Sequence, residues 1–220
     1  MRGLEPHPAL VRITHWINAV SFAALLVSGV AILLAHPRLY WGETGAYGAP
    51  SLIDLPLPLV LTGQSGWGRS LHFLSAWVCV IAGAAYLLAG LLSGRLRREL
   101  LPARSDWRDA AAHLRPRRPA GDGDLSYNPA QRLAYFAVVI LLVPAMTWTG
   151  LAMSPAVTAV APFLVNLLGG QQTARTLHFA MACALVLFLA GHVAMVVLSG
   201  FRVRMRGMIT GRRAMGAGRA

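Results

Sequence analysis

The chain is 220 residues long, 56% apolar and only 13% charged, about half the charge of a soluble domain. That composition excludes a disordered chain, which is poor in apolar residues and rich in charge, and it argues against a soluble enzyme core. The charge is one-sided: 20 basic residues, all arginine, stand against 8 acidic ones for a net +12. A basic chain can bind nucleic acid, but a chain both basic and apolar points to a membrane fringed with arginine on its inner face.

A bilayer-crossing helix needs about 20 mostly apolar residues. Four stretches supply them: Ile13–Ala35, Leu71–Gly94, Leu133–Met153 and Thr176–Phe201, none with an acidic or basic side chain other than histidine. Each reads as a helix, because a helix satisfies its own backbone in lipid. The first is too long for a signal-peptide core and lacks a small-residue cleavage site, so it reads as an uncleaved anchor. Ser51–Leu61 is too short to span and carries Asp54, Pro56 and Pro58. The polar stretch Arg95–Tyr127 reads as a connection with one short helix at Trp107–Leu114. Ser154–Gly170 holds Pro155, Pro162 and Asn166, and reads as a surface-lying or re-entrant piece.

Arginine placement orients the spans. Four crossings with the N-terminus inside put 17 of the 20 arginines inside, leaving Arg38, Arg69 and Arg175 outside. A fifth crossing would break that positive-inside bias. The expectation is therefore all-α: an integral membrane four-helix bundle with both termini cytoplasmic, in the bacterial inner membrane, one membrane domain over residues 1–220. Its outer loop is 36–70, its cytoplasmic loop 95–130 and its outer surface segment 154–170. The arginine runs flank spans and lack interleaved aromatics for base stacking, which removes the nucleic-acid reading.

Cys79 and Cys183 sit in apolar surroundings outside any C-x-x-C motif, so they read as small buried hydrophobes. Four of the seven histidines lie within spans, where ionisable groups are costly and mark function by default. His178 and His192 are 14 residues apart on one helix, which brings them to nearly the same face, ~40° short of four turns, about 21 Å apart along the axis. His15 starts the first span on the inner side, and His72 starts the second on the outer side. Depth then pairs His72 with His178 outside and His15 with His192 inside. Two dry bis-imidazole sites suit b-type haem, whose iron takes imidazole as an axial ligand. Zinc wants four ligands, and no Cys, Asp or Glu completes such a set. The other reading of an intramembrane histidine is a hydrogen bond to a neighbouring helix.

Three of these histidines follow an arginine by three residues: Arg12 and His15, Arg69 and His72, Arg175 and His178. The last two pairs continue as Ser/Thr-Leu-His-Phe, a short internal repeat. An i, i+3 pair shares a helix face, and each arginine sits one turn nearer the water, where haem propionates would want a guanidinium partner. Snorkelling arginines at the interface are the plainer alternative. Gly29, Gly83, Gly150 and Gly191 lie inside spans, where small residues admit a flat ring or a neighbouring backbone.

Taken together, the motifs resemble a known family: the di-haem cytochrome b subunits of hydrogenase, formate dehydrogenase and thiosulfate reductase, within the bacterial cytochrome b561 superfamily. Those motifs are Arg12-Ile13-Thr14-His15-Trp16, Gly68-Arg69-Ser70-Leu71-His72-Phe73, Tyr127-Asn128-Pro129-Ala130-Gln131-Arg132, Thr149-Gly150-Leu151-Ala152-Met153-Ser154-Pro155 and the His178/His192 pair. The resemblance covers roughly Pro8 to Gly211. It implies two b haems ligated by His15, His72, His178 and His192, and a quinone site near the inner one. By that resemblance Asn128 contributes to quinone binding, with Tyr127 and Gln131 as lesser candidates. Asn128 is also a natural helix N-cap before Pro129.

The long loop 36–70 and the segment 154–170 look like a docking surface for a redox partner outside the membrane. The expected function is electron transfer between the quinone pool and an exported molybdopterin oxidoreductase or other redox subunit. A stand-alone superoxide:quinone oxidoreductase and a haem-free anchor or small transporter are the alternatives.

Overall fold

The computed structural model describes residues 8–45, 49–55, 65–94, 96, 101, 129–198 and 200–211. Its elements in order are α1 (Ala9–Ala35), β1 (Arg38–Leu39), β2 (Ile53–Asp54), α2 (Ser65–Leu92) and α3 (Pro129–Phe136). A π-helical stretch (Ala137–Leu142) then leads into α4 (Val143–Ala152), α5 (Pro155–Thr158), α6 (Phe163–Asn166), α7 (Gln171–Leu198) and α8 (Phe201–Thr210). Four spans are long and apolar enough to cross a membrane: Ala9–Ala35, Gly66–Leu92, Arg132–Ala152 and Gln171–Leu198. The protein is thus all-α with four membrane-spanning helices.

All four of these helices begin earlier than the apolar stretches do. Hydropathy marks hydrocarbon depth, whereas the backbone ladder continues through the interface as long as each N–H finds its carbonyl. Arg12, Arg69 and Arg175 therefore lie one turn inside their helices. The π-helical stretch has a chemical cause in Pro144, which lacks an N–H and whose ring crowds the carbonyl four residues back. Relieving that crowding widens the preceding turn. The fourth span stops at Leu198, short of the predicted Phe201. Gly200 takes a left-handed conformation (φ +101°) and starts α8, in what the sequence presents only as an arginine-rich tail.

The described residues pack as two compact units. One lies within Met1–Ala19, Ile81–Ala137 and Phe188–Ala220 and contains His15 and His192. The other lies within Val20–Val80 and Val138–Leu187 and contains His72 and His178. The His72 unit buries hydroxyls and small residues: Ser21, Ser28, Ser75, Thr149, Thr173, Thr176, Ala152 and Ala174. Outward it shows Val20 (70% exposed), Leu74 (64%) and Leu187 (74%), side chains at home against lipid. This is the membrane pattern, in which small residues let helices approach and large apolar ones face acyl chains. A buried hydroxyl costs little where it finds a carbonyl: Ser28 donates to Ala24 (2.7 Å) and Thr149 to Met146 (3.0 Å), each one turn back, and Thr176 donates to Tyr40 (2.6 Å).

The connection after α1 folds onto the start of α7. β1 and β2 pair antiparallel, Arg38 opposite Asp54 and Leu39 opposite Ile53, with Leu39 fully buried. The Gly42 carbonyl accepts from Gln172 N (3.0 Å) and Thr173 N (3.3 Å), and Gly42 N donates to Thr173 Oγ1 (2.8 Å). Two first-turn donors of α7 are satisfied in this way. Gly170 makes the approach possible: a Cβ there would sit 2.6 Å from the Gly42 carbonyl carbon. The segment 154–170, read from sequence as surface-lying, forms α5 and α6, whose Val165 packs with Ala152 and Ala174.

Two facing histidine pairs as the candidate functional site

His72 on α2 faces His178 on α7, with ring centroids 6.2 Å apart and planes tilted by 59°. Each ring is held from behind by a different helix. Ser28 Oγ of α1 lies 3.0 Å from His72 Nδ1, and Thr149 Oγ1 of α4 lies 2.9 Å from His178 Nδ1. Each hydroxyl has one proton and a carbonyl waiting for it: Ala24 O at 2.7 Å from Ser28 and Met146 O at 3.0 Å from Thr149. With that proton on the carbonyl, each hydroxyl accepts from Nδ1–H and the Nε2 lone pair of the ring is free. Beside each hydroxyl stands a glycine. A Cβ at Gly29 would lie 3.7 Å from His72 Cε1, and one at Gly150 would lie 3.5 Å from His178 Cε1, so a larger side chain would push the ring away.

His15 on α1 faces His192 on α7 at 6.4 Å and 49°. This pair is walled by aromatic rings. Phe188 stacks on His192 (6.0 Å, 23°), Tyr135 meets it edge-on (6.3 Å), and Trp16 meets His15 at right angles (5.3 Å). His192 Nδ1 and Asn18 Oδ1 are buried without a hydrogen-bond partner among the described residues. Asn18 escaped the sequence reading. It is the amide within the first apolar stretch, three residues after His15 and so on its face, which was the available signal.

The three arginines have different surroundings. Arg12 Nη1 donates to the Ile209 carbonyl (2.9 Å), and Trp16 Nε1 donates to Met208 (3.3 Å), so two side chains of α1 cap the last turn of α8. Arg175 Nη2 donates to the His36 carbonyl just past α1. A guanidinium at a helix C-terminus meets both orphan carbonyls and the negative end of the dipole. Either arginine keeps further N–H donors for an anion. Arg69 is exposed. Its charge and that of Arg175, after burial, hold the His36 imidazole below its ordinary pKa. Tyr127 and Asn128, the side chain of Gln131 and the short helix expected at Trp107–Leu114 lie outside the described residues.

Two in-line metal–imidazole bonds of about 2.0 Å, with ~1.2 Å from each nitrogen to its ring centroid, put centroids roughly 6.4 Å apart. Both pairs have that spacing, so each has room for one metal ion between its rings. Among the described residues no group of three or more His, Cys, Asp or Glu comes together, so each pair would offer two imidazoles to a metal centre whose other ligands a cofactor supplies. Four apolar spans carrying two facing imidazole pairs fit a membrane protein that holds a cofactor through histidine.

The comparisons agree. The prokaryotic cytochrome b561 family matches residues 6–211, and the chain belongs to that family. It is 35% identical over 196 residues to a putative protein-methionine-sulfoxide reductase subunit, YedZ1, of Azospira oryzae, covering 87% of this chain and 90% of that protein. The protein is accordingly a multi-pass inner-membrane electron-transfer protein of a family that carries b-type haem.

Proposed function

We propose that the chain is a di-haem cytochrome b that moves electrons between the quinone pool and an exported redox partner. His72 with His178 would hold one haem on the outer side, and His15 with His192 the other on the inner side. The observation that carries this reading is the pair of imidazole couples, 6.2 and 6.4 Å between centroids. When bound, haem iron supplies one-electron Fe(II)/Fe(III) chemistry.

The residues supply the rest. Ser28 and Thr149 orient two ligands, and Gly29 and Gly150 make room beside them. Phe188, Tyr135 and Trp16 keep the His15 pair dry. Arg12, Arg69 and Arg175 stand as candidate partners for the propionates. The inward positive bias orients the spans with both termini cytoplasmic. Quinone binding by Asn128, Tyr127 and Gln131, near the inner haem, rests on the family resemblance.

The partner would be an exported molybdopterin oxidoreductase. The name of the Azospira relative supports one that reduces a sulfoxide, and electrons then run outward from quinol. The test is a reduced-minus-oxidised visible spectrum with pyridine haemochrome quantitation on the purified chain. Two b haems per chain are expected. One haem, or no α-band, would overturn the di-haem reading. Quinone reduction by superoxide without any partner would favour the stand-alone enzyme instead.

A further inference from the structure

The His72 site is built twice from one pattern. Ser28-Gly29-Val30-Ala31 on α1 stands against Arg69-Ser70-Leu71-His72-Phe73 on α2. Thr149-Gly150-Leu151-Ala152 on α4 and its end stands against Arg175-Thr176-Leu177-His178-Phe179 on α7. In each half a hydroxyl residue meets Nδ1 of the histidine, at 3.0 and 2.9 Å. In each half the next residue is the glycine over Cε1. Each hydroxyl is itself anchored to its own helix one turn back, Ser28 at 2.7 Å and Thr149 at 3.0 to 3.1 Å. An anchored oxygen cannot rotate away, and its proton is already committed. It can only accept. With its proton on that helix's carbonyl the hydroxyl accepts from Nδ1–H, and the Nε2 lone pair is left free to bind a metal ion.

We infer that Ser28 and Thr149 are positioning residues that set the reduction potential of the group held by His72 and His178, and of no other. This rests on the reading of those histidines as haem ligands. A hydrogen bond from Nδ1–H pushes electron density into the ring and makes the imidazole a stronger donor. A stronger donor stabilises Fe(III) over Fe(II), so the bond lowers the potential of the one-electron couple. Ser28 and Thr149 meet His72 and His178, so their effect belongs to that site. Two equivalent bonds on the two axial ligands act in the same sense.

The experiment is a spectroelectrochemical titration of the full chain in lipid nanodiscs, in wild type and in His15→Ala and His72→Ala backgrounds that each keep one haem. Thr149→Val keeps the shape and removes the hydroxyl, whereas Thr149→Ser does the reverse. Ser28→Ala and Ser28→Thr make the matching pair. Losing either hydroxyl should raise the potential of the haem kept in the His15→Ala background. The expected size is a three- to tenfold change in its reduced-to-oxidised ratio at fixed potential, up to ~59 mV. The haem kept in the His72→Ala background should not move.

Thr149→Ser and Ser28→Thr should titrate as wild type. Haem lost in Thr149→Val but kept in Thr149→Ser would equally support the assignment, since occupancy would then follow the hydroxyl. A potential unmoved in Thr149→Val, moved equally in Val and Ser, or a haem lost in both would overturn it. Wild-type protein without haem at this site would instead remove the ligand reading beneath it.

Discussion

At the His72 pair both Nδ1 atoms meet anchored hydroxyls; at the His15 pair His192 Nδ1 meets none among the described residues, and its ring lies instead on Phe188 and against Tyr135. Two means of restraint thus give nearly the same spacing. A directional hydrogen bond fixes both the ring's rotation and its tautomer. Aromatic packing fixes the ring plane and does not set the tautomer. The difference has a sequence origin. The repeat that relates His72 to His178 and Ser28 to Thr149 puts Tyr86 opposite His192 and Phe136 opposite His15. The first pair is a duplicated half-site; the second draws one ligand from each half, with no counterpart in the other.

The largest break in this comparison would come from the ligands themselves. His72→Ala and His178→Ala should each remove the same haem, halving haem per chain, and His15→Ala and His192→Ala should each remove the other. Difference spectra and potentials of the four variants decide it. Cross-matched losses, with His72→Ala resembling His192→Ala, would dismantle the pairing. Next in size are the glycines of the duplicated site. Val at Gly29 or Gly150 should displace the ring it adjoins and cost most of the occupancy there, leaving the His15 site loaded. Ala should be tolerated, because a Cβ at 3.5 to 3.7 Å is in ordinary contact.

The four spans were legible in the sequence because lipid demands long charge-free runs, and which histidines would face each other followed from their depth on those runs. The hydroxyl acceptors were not. Ser28 and Thr149 read as ordinary residues of apolar stretches until the helix facing each histidine is known, and period alone does not say which helix that is. Nor was α8 visible. Its ten residues carry three arginines, too polar for a span and too short to stand out from a basic tail. The role of Arg12 was read from spacing as facing propionates, yet its guanidinium also caps α8, a contact 197 residues away in the chain.

That cap is the third test, and it belongs to the His15 unit. Arg12→Ala removes a charged hydrogen bond at a helix C-terminus, worth about 1.5–3 kcal/mol when partly buried. Trp16→Phe removes a neutral one, worth ~1 kcal/mol. Both should free α8, seen as faster protease cleavage within 201–211, with Arg12→Ala the stronger. Arg175→Ala, whose partner is the His36 carbonyl in the other unit, should leave that cleavage rate unchanged.

The smallest effect concerns pH at the His72 unit. Burial, then the charges of Arg175 and Arg69, lower the His36 pKa from its ordinary 6.5. The unfolded chain therefore binds a proton that the folded chain refuses between 6.5 and the depressed value, so folded stability falls as pH drops through that window and is unaffected above it. His36 is largely exposed, which keeps the effect small. It nonetheless reports on the arginines. If Arg69 and Arg175 are neutralised by propionates, haem loading should raise the His36 pKa towards 6.5, read by NMR titration of loaded against haem-free protein. An unchanged pKa on loading would leave Arg175 as a cap for the end of α1 and Arg69 as a surface charge, and the His72 site would then hold its haem through histidines and hydroxyls alone.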